Sequence, residues 1–171
     1  NKMQLVHQVT CYHSPAYYYA YVTQLLGFKP LRHEGKITGL AAFGKSERTK
    51  KIFEKYIQYD KNKTSFVNKG GYHLNAMSLL KKKLNGFSKE DIACGIQGHT
   101  EEIVCEYIND MIERFYGNKP VNVFLAGGLF ANVKVNQRIL ALDKVKNIYI
   151  FPNMGDGGLN MGAALFPYLW V

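Results

Sequence analysis

The fold is decided by Val121-Asn-Val-Phe-Leu-Ala-Gly-Gly-Leu-Phe-Ala-Asn132, where an apolar run containing β-branched residues ends in two glycines. A second apolar run, Asn147-Ile-Tyr-Ile-Phe-Pro152, is followed by Gly155-Asp-Gly-Gly158. These patterns predict a strand–helix–strand–helix unit with both loops at the C-terminal ends of strands. Ligands bind at such ends in open α/β sheets, and helix N-termini attract anions. We therefore expect a site where Gly128 and Asp156 face each other.

Each glycine loop allows a ligand-binding and a structural interpretation. Gly127-Gly128 would let a ligand contact the backbone and the helix predicted from Leu129, or it would serve tight helix–strand packing. Asn132, one turn into that helix, can donate and accept hydrogen bonds and suits a ribose or a base edge. Asp156 suits a hard cation, but it also suits the N-cap of a helix over Leu159–Leu165. Both alternatives stay open on the residues alone.

The composition is that of a globular protein. The 171 residues are 47% hydrophobic and 20% charged, enough for one domain with a core, although a two-lobed enzyme normally needs more. No apolar run approaches the roughly 20 residues of a membrane span, and no cleavable signal is visible at Asn1-Lys-Met-Gln. The three cysteines are odd in number and lack metal-ligand spacing. A reducing cytoplasm and no membrane partner are expected, and the missing initiator Met suggests an excised or incomplete piece.

The formal net charge of +9 admits an anionic partner, and nucleic acid is the obvious one. Much of the excess lies in 45–63 and in Lys81-Lys-Lys83, which have the pattern of solvated helix faces and a loop. Without an RNA-binding signature we expect no nucleic-acid partner. A non-catalytic basic module that binds RNA stays open as an alternative.

Capping residues and periodicity predict the other elements. Ser14-Pro15 begins a helix over Ala16–Leu26, and Ser88 begins a long helix that ends at Tyr116. We also predict a strand over residues 3–11 and helices over 45–56 and 73–84. Residues 59–71 are expected to form an exposed loop or a short hairpin, and they are the only plausible linker.

Candidate catalytic groups are few. Gln97 and His99 lie on the long helix and can reach a site, although a lone polar residue on such a helix is usually solvated. The five histidines show no His-x-x-x-His pair or Cys/His cluster, and no serine nucleophile elbow is present. The residues identify no catalytic group and argue against a self-contained hydrolase.

A second glycine-containing stretch is Glu34-Gly-Lys-Ile-Thr-Gly-Leu-Ala-Ala-Phe-Gly44. Its glycines would let backbone approach a ligand closely while Lys36 supplies a fixed cation. It fits neither the P-loop nor the dinucleotide fingerprint, and a plain turn before a helix would explain the glycines equally well.

Three motifs in the same order resemble the O-carbamoyltransferases of nodulation-factor and antibiotic biosynthesis. Glu34–Gly44 resembles that family's Glu-Gly-Lys-x-x-Gly-Leu-Ala-x-x-Gly segment. Leu125-Ala-Gly-Gly-Leu-Phe-Ala-Asn132, and Gly155-Asp-Gly-Gly158 with Gly162-Ala-Ala164, resemble its later motifs. The resemblance extends from residue 14 to residue 165 and is more specific than any one motif.

The resemblance implies an α/β fold, namely an actin/Hsp70-like (ribonuclease-H-like) lobe with a mixed sheet and flanking helices. This core is similar to that of the enzyme that installs threonylcarbamoyl on tRNA. Members of the family use ATP and carbamoyl phosphate to make carbamoyl-adenylate. They then transfer the carbamoyl group to a hydroxyl of a small molecule or sugar.

The resemblance also implies roles for individual residues. Gly127-Gly128 and Asn132 would hold the adenosine, and Glu34-Gly35-Lys36 would border the adenylate. Asp156 would be a ligand of a catalytic iron or similar divalent ion, whose charge would stabilise phosphate and carbamoyl oxygens.

Two family features have no counterpart in this sequence. These are the upstream histidine-rich metal motif and the C-terminal domain that first processes carbamoyl phosphate. We therefore expect residues 1–171 to be one partial domain, the second half of the family's central domain, and to be inactive alone. An actin-like ATPase or a sugar kinase would share the lobe and stays open as an alternative.

Overall fold

The computed structural model describes residues 4–169, which form an α/β fold as predicted, with seven α-helices and two pairs of strands. The helices are α1 (Pro15–Leu25), α2 (Glu34–Ala41), α3 (Glu47–Phe53), α4 (Leu74–Lys83), α5 (Lys89–Tyr116), α6 (Val133–Leu140) and α7 (Leu159–Leu169). The strands are β1 (Ile57–Asp60), β2 (Ser65–Asn68), β3 (Val121–Leu125) and β4 (Val145–Ile150). Within this part of the chain, no helix has the length and apolar character needed to cross a bilayer.

Helix α5 is the element against which much of the chain packs. The Ser88 hydroxyl accepts a hydrogen bond from the Asp91 amide at 3.1 Å, and Gly117 follows the last turn at φ +64°. Both features cap a helix end, so the predicted boundaries are confirmed. Helices α1, α2, α3 and α6 all contact α5, and its buried face runs from Ile92 to Ile112.

Helix α1 confirms the prediction made from Ser14-Pro15. The Ser14 hydroxyl accepts a hydrogen bond from the Ala16 amide at 3.3 Å, and the proline occupies the start of the helix. The helix carries Tyr18, Tyr19 and Tyr21 into the core. These aromatic side chains contribute packing, and their hydroxyls find partners within the fold.

Residues 59–71, expected as an exposed loop or a short hairpin, lie largely in an antiparallel hairpin. Strand β1 pairs with β2 from Ile57 opposite Asn68 to Asp60 opposite Ser65. The Asp60 carboxylate accepts a hydrogen bond from the Asn62 amide at 3.0 Å, a local bond that favours the turn. Within 59–71 the exposed residues are the tip, 61–63, and Lys69, whereas Phe66 is buried.

Strands β3 and β4 form the predicted strand–helix–strand unit. They are parallel, with Val123 opposite Ile148 and Leu125 opposite Ile150, and α6 connects them. Both following loops therefore leave the same edge of this sheet. Phe124 and Tyr149, on its outer face, are exposed and pack on each other with ring centroids 5.8 Å apart.

Two expectations about strands need correction. In the predicted strand over residues 3–11, residues 4–10 form no strand and Cys11 begins a 3-10 turn. Its β-branched residues favour a strand, but no neighbouring strand in the described chain offers partners for its backbone. A single mixed sheet was also expected, but the described strands form two separate pairs, one antiparallel and one parallel.

The stretch 34–44, whose glycines suggested close backbone approach to a ligand or a plain turn before a helix, is mostly helix α2 itself. Ile37 is fully buried against the α5 core, and this packing outweighs the cost of about 0.5–1 kcal/mol that each internal glycine adds. Gly44 has a packing role, since a Cβ there would overlap the backbone of Glu90.

Candidate functional site

The loops after β3 and β4 meet at the C-terminal edge of the parallel pair. The Gly127 amide donates to the Met154 carbonyl at 2.6 Å, and the Phe151 amide donates to the Leu125 carbonyl at 2.9 Å. A 3-10 turn over Asp156–Gly158 then leads directly into α7. The structure thus brings the two predicted glycine loops together.

A cavity of about 690 Å³ lies between these loops. Asp156 is the only ionisable side chain among its described lining residues, and the N-terminus of α7 forms one wall. The lining consists of Ala126, Gly127, Phe151, Met154, Gly155, Asp156, Gly158, Leu159, Gly162 and Ala163. Gly127 and Asp156 face the cavity, whereas Gly128 lies just outside its lining.

Several glycines around the cavity have no packing reason to be glycine. A Cβ at Gly128, Gly155 or Gly162 would meet no described atom within 4 Å, and none of the three has a positive φ. Gly127 differs because its φ of +117° strains any other residue. Tight helix–strand packing, the structural alternative for the double glycine, does not explain Gly128. The open Cβ positions form a surface that a ligand can approach closely.

The glycines after Asp156 have a structural explanation instead. A Cβ on Gly157 would overlap the Asn153 side chain, and one on Gly158 would lie 2.5 Å from the Asn153 carbonyl and 2.8 Å from the Phe151 ring. Glycine lets the loop fold back this tightly on Phe151 and Asn153, which follow β4. The carboxylate of Asp156 is held exposed at the start of this turn.

Asn132 is the N-cap of α6 rather than a residue one turn inside a helix, because the helix expected from Leu129 is a short 3-10 turn. Its side-chain oxygen accepts from the amides of Lys134 at 3.1 Å and Val135 at 3.2 Å. Its amide group also pairs reciprocally with Gln97, at 2.8 and 3.1 Å. Asn132 is thus a capping residue whose orientation Gln97 fixes.

Gln97 joins the loop motif to helix α2. The Tyr19 hydroxyl donates to the Gln97 side-chain oxygen at 2.6 Å and lies 2.8 Å from the Thr38 hydroxyl. Burial raises the pKa of Tyr19, so its hydroxyl stays protonated and can donate. Gln97 is 5% exposed, so the expectation that polar side chains of this helix are solvated is wrong here. The sequence signal that could have indicated this burial is the position of Gln97 directly after Ile96, which is buried.

Glu34-Gly35-Lys36 does not line the cavity. The Glu34 carboxylate accepts a hydrogen bond from the Leu31 amide at 2.6 Å, and the Lys36 ammonium lies 5.1 Å from the Phe28 ring centroid. A Cβ on Gly35 or Gly39 would meet open space. The motif shares the Thr38–Tyr19–Gln97–Asn132 network with the β3 loop, but its charged groups contact local partners.

The described residues around Asp156 do not make a metal site by themselves. No second carboxylate, imidazole or thiol lines the described cavity, whereas protein-bound divalent ions take four or more ligands. Asp156 offers one exposed carboxylate, and a divalent ion held there would need further ligands from outside this lining.

The protein thus has an α/β fold with an open, glycine-lined cavity at the C-terminal end of parallel strands, the place at which open α/β sheets bind ligands. The chain belongs to the family described as "Carbamoyltransferase N-terminus", which matches residues 1–165. This match supports the carbamoyltransferase resemblance of the three motifs. The narrower link to nodulation-factor and antibiotic biosynthesis stays a prediction.

Relatives occur in an archaeon and a cyanobacterium, and their names state no activity. The chain is 34% identical to protein MJ1058 of Methanocaldococcus jannaschii, covering 86% of this chain and 24% of the relative. It is 30% identical to MJ1051 of the same organism, covering 96% and 32%. It is 32% identical to sll1178 of Synechocystis, covering 90% and 27%. The chain therefore spans no more than a third of the length of these relatives.

Proposed function

We propose that this chain supplies part of the nucleotide site of an ATP-dependent O-carbamoyltransferase. The observation that carries the proposal is the cavity at which Gly127 and Asp156 meet, in a chain whose family is that of the carbamoyltransferases. The relatives' greater length supports the view that catalysis needs further parts of the polypeptide.

The cavity suits a nucleotide on physical grounds. Phe151, Met154 and Leu159 give it apolar walls that suit a base. The N-terminal end of α7, whose helix dipole favours phosphate, lines the cavity, and the open glycines allow backbone contact. We propose that Gly127-Gly128 contacts the adenosine and that Asn132 acts by capping α6 beneath this loop.

Asp156 is the group that makes a cation necessary. A bare carboxylate beside bound phosphate would repel it, so the two groups are compatible only with positive charge between them. We propose that Asp156 contributes one ligand to a divalent ion, iron by the family resemblance, with its remaining ligands outside the cavity lining. Such an ion would neutralise charge on phosphate and carbamoyl oxygens.

The proposed transfer needs carbamoyl phosphate, ATP and a hydroxyl-bearing acceptor. In the final step the acceptor oxygen bonds to the carbamoyl carbon, the bond from that carbon to the adenylate oxygen breaks, and AMP leaves. The acceptor's proton passes to a base. Glu34-Gly35-Lys36 would border the adenylate, with Lys36 turning from the Phe28 ring towards the phosphate.

Nucleotide binding is tested first, by calorimetric titration of ATP into the chain. Gly128→Val fills the open position beside the cavity and should weaken ATP binding about tenfold or more, equivalent to about 1.4 kcal/mol. Ala131→Val, in the same 3-10 turn and also exposed, is the matched control and should bind as the parent does. Equal affinities of all three proteins would refute the assignment of Gly128.

Activity is tested in a polypeptide that contains this sequence and has the length of the relatives. Asp156→Ala should abolish metal-dependent, carbamoyl-phosphate-dependent release of AMP while leaving the circular dichroism spectrum unchanged. The 171-residue chain alone should not turn over carbamoyl phosphate, and turnover would contradict its proposed role as a part.

The same assays separate the other classes. ATP hydrolysis or sugar phosphorylation without carbamoyl phosphate would indicate an actin-like ATPase or a sugar kinase. Steep, salt-dependent RNA affinity, lost on charge reversal of Lys81–Lys83, would indicate an RNA-binding module. Those lysines lie exposed in the last turn of α4, where positive charge already stabilises the helix end.

A further inference from the structure

A second cluster of potential metal ligands lies between α3 and α5, away from the cavity lining. One ring nitrogen of His99 and one carboxylate oxygen each from Glu54 and Glu102 all lie within 4.8 Å of one another. His99 and Glu102 are one turn apart on α5, and Glu54 immediately follows α3. Glu54 and His99 lie far apart in the sequence, so no short spacing motif identifies this cluster.

His99 has the hydrogen bonding of a metal-binding histidine. Its Nε2 lies 2.6 Å from the Ile57 carbonyl, so this nitrogen carries the proton and donates. Its Nδ1 is buried and has no hydrogen-bond partner, and the residue is 2% exposed. Burial lowers the pKa of His99, which keeps the imidazole neutral. A histidine that donates one N–H to a backbone carbonyl is held with its other nitrogen free for a metal.

The two carboxylates already attract a cation. The Lys50 ammonium lies 2.8 Å from Glu102 and 3.9 Å from Glu54. The side chains of the two glutamates are 45% and 44% exposed, so an ion can reach them from solvent. The lysine stem is flexible and partly exposed, which allows its ammonium to turn into water.

We propose that Glu54, His99 and Glu102 form a divalent transition-metal site of the Zn²⁺ type, in competition with Lys50. The ligands are the free imidazole nitrogen and one oxygen from each carboxylate, and solvent completes the coordination. An ion here would join the end of α3 to the middle of α5. The inference is independent of the proposed transferase activity, because it involves none of the cavity residues.

The test is Zn²⁺ titration by calorimetry, with Co²⁺ absorption as a second readout, in the Asp156→Ala background. That background removes any ion bound at the cavity. One ion per chain should bind, and Glu54→Gln or Glu102→Gln should each weaken binding about tenfold or more. Glu47→Gln, an exposed acidic position on α3, is the control and should have no effect.

The competition with Lys50 best distinguishes binding at this cluster from Zn²⁺ binding elsewhere on the protein. Lys50→Gln should tighten Zn²⁺ binding several-fold, because it removes the competing ammonium, whereas Lys51→Gln on the same helix should not. His99→Ala should abolish the Co²⁺ spectrum, with circular dichroism to check folding. Absence of binding, binding that survives Glu102→Gln, or a Lys50→Gln affinity no greater than the parent's would each overturn the proposal.

Discussion

The region around α5 and the region from β3 to α7 differ in how they treat apolar side chains. Helix α5 buries side chains along nearly its whole length, and Phe53 from α3 is fully buried beside it. In α7, by contrast, every apolar side chain described is exposed, including Leu159 at 71% and Tyr168 at 83%. The α5 region therefore carries the stability, and the β3–α7 region keeps the surface on which a ligand or further chain can be accommodated.

Glycines show the same contrast. Gly95 on α5 touches α3 so closely that a Cβ would overlap Thr49, whereas Gly128 and Gly162 beside the cavity face open space. Glycine permits close helix packing in one region and open backbone in the other. Substitutions in the first should change the free energy of unfolding, and those in the second should change ligand binding.

The largest expected effect comes from replacing a phenylalanine with alanine, and this substitution can be made in both regions. Phe53→Ala should lower the free energy of unfolding by about 3–5 kcal/mol, because it leaves a cavity in a fully buried site. Phe124→Ala, at a position that is 76% exposed, should change it by no more than about 0.5 kcal/mol. Urea denaturation followed by circular dichroism measures both. Similar losses would contradict the division into a stabilising region and an open one.

A smaller effect, with opposite signs, is expected from two glycines of α5. Gly95→Ala should lower the free energy of unfolding by about 1–3 kcal/mol, since the added methyl overlaps Thr49 and lies 2.8 Å from the Lys50 amide nitrogen. Gly98→Ala meets nothing within 4 Å and should raise it by up to about 1 kcal/mol through helix propensity. Thermal melts of the two variants provide the comparison, and equal shifts would show that the α3–α5 contact is looser than described.

The smallest expected effect is a pH dependence that originates in the α5 region. Burial lowers the pKa of His99 below 6.5 in the folded state, although Glu54 and Glu102 oppose this shift. The unfolded chain therefore binds the proton at higher pH than the folded chain does. The stabilisation is full above pH 6.5 and is lost as the pH falls below it towards the folded-state pKa.

Urea titrations between pH 7.5 and about 5, with a chelator present, test this linkage. His99→Gln should flatten the decline, whereas His73→Asn, at an exposed position, should preserve it. An unchanged slope in the His99 variant would assign the pH dependence to other groups.

Predictions from local chemistry were the accurate ones. Ser14-Pro15 and Ser88 identified two helix starts, because a capping hydroxyl bonds to an amide only two or three residues away. The strand runs ending at Leu125 and Ile150 likewise placed both loops at one edge of a sheet. The roles assigned to Gly127-Gly128 and Asp156 stay predictions, although the structure brings their loops together.

Predictions that depended on distant contacts were the inaccurate ones. The glycines of 34–44 suggested close approach to a ligand or a turn before a helix, but most of the stretch is a helix that buries Ile37 against α5. Asn132 was expected one turn inside a helix, yet it is the N-cap of α6 and pairs with Gln97, which lies 35 residues away. Its role in nucleotide binding stays a prediction. For Gln97 and His99 the sequence left open a place in a site or exposure to solvent, and both side chains are buried with partners on other elements.

The sequence by itself determined the helix caps, the strand–helix–strand unit and the glycine loops, because each depends on bonds between residues close in the chain. Only the tertiary structure decided which glycines contact another element and which face open space. It also decided which polar side chains of α5 are buried away from water. Those outcomes depend on which atoms approach from other elements. Both the cavity at Asp156 and the cluster at His99 form where residues from different elements come together.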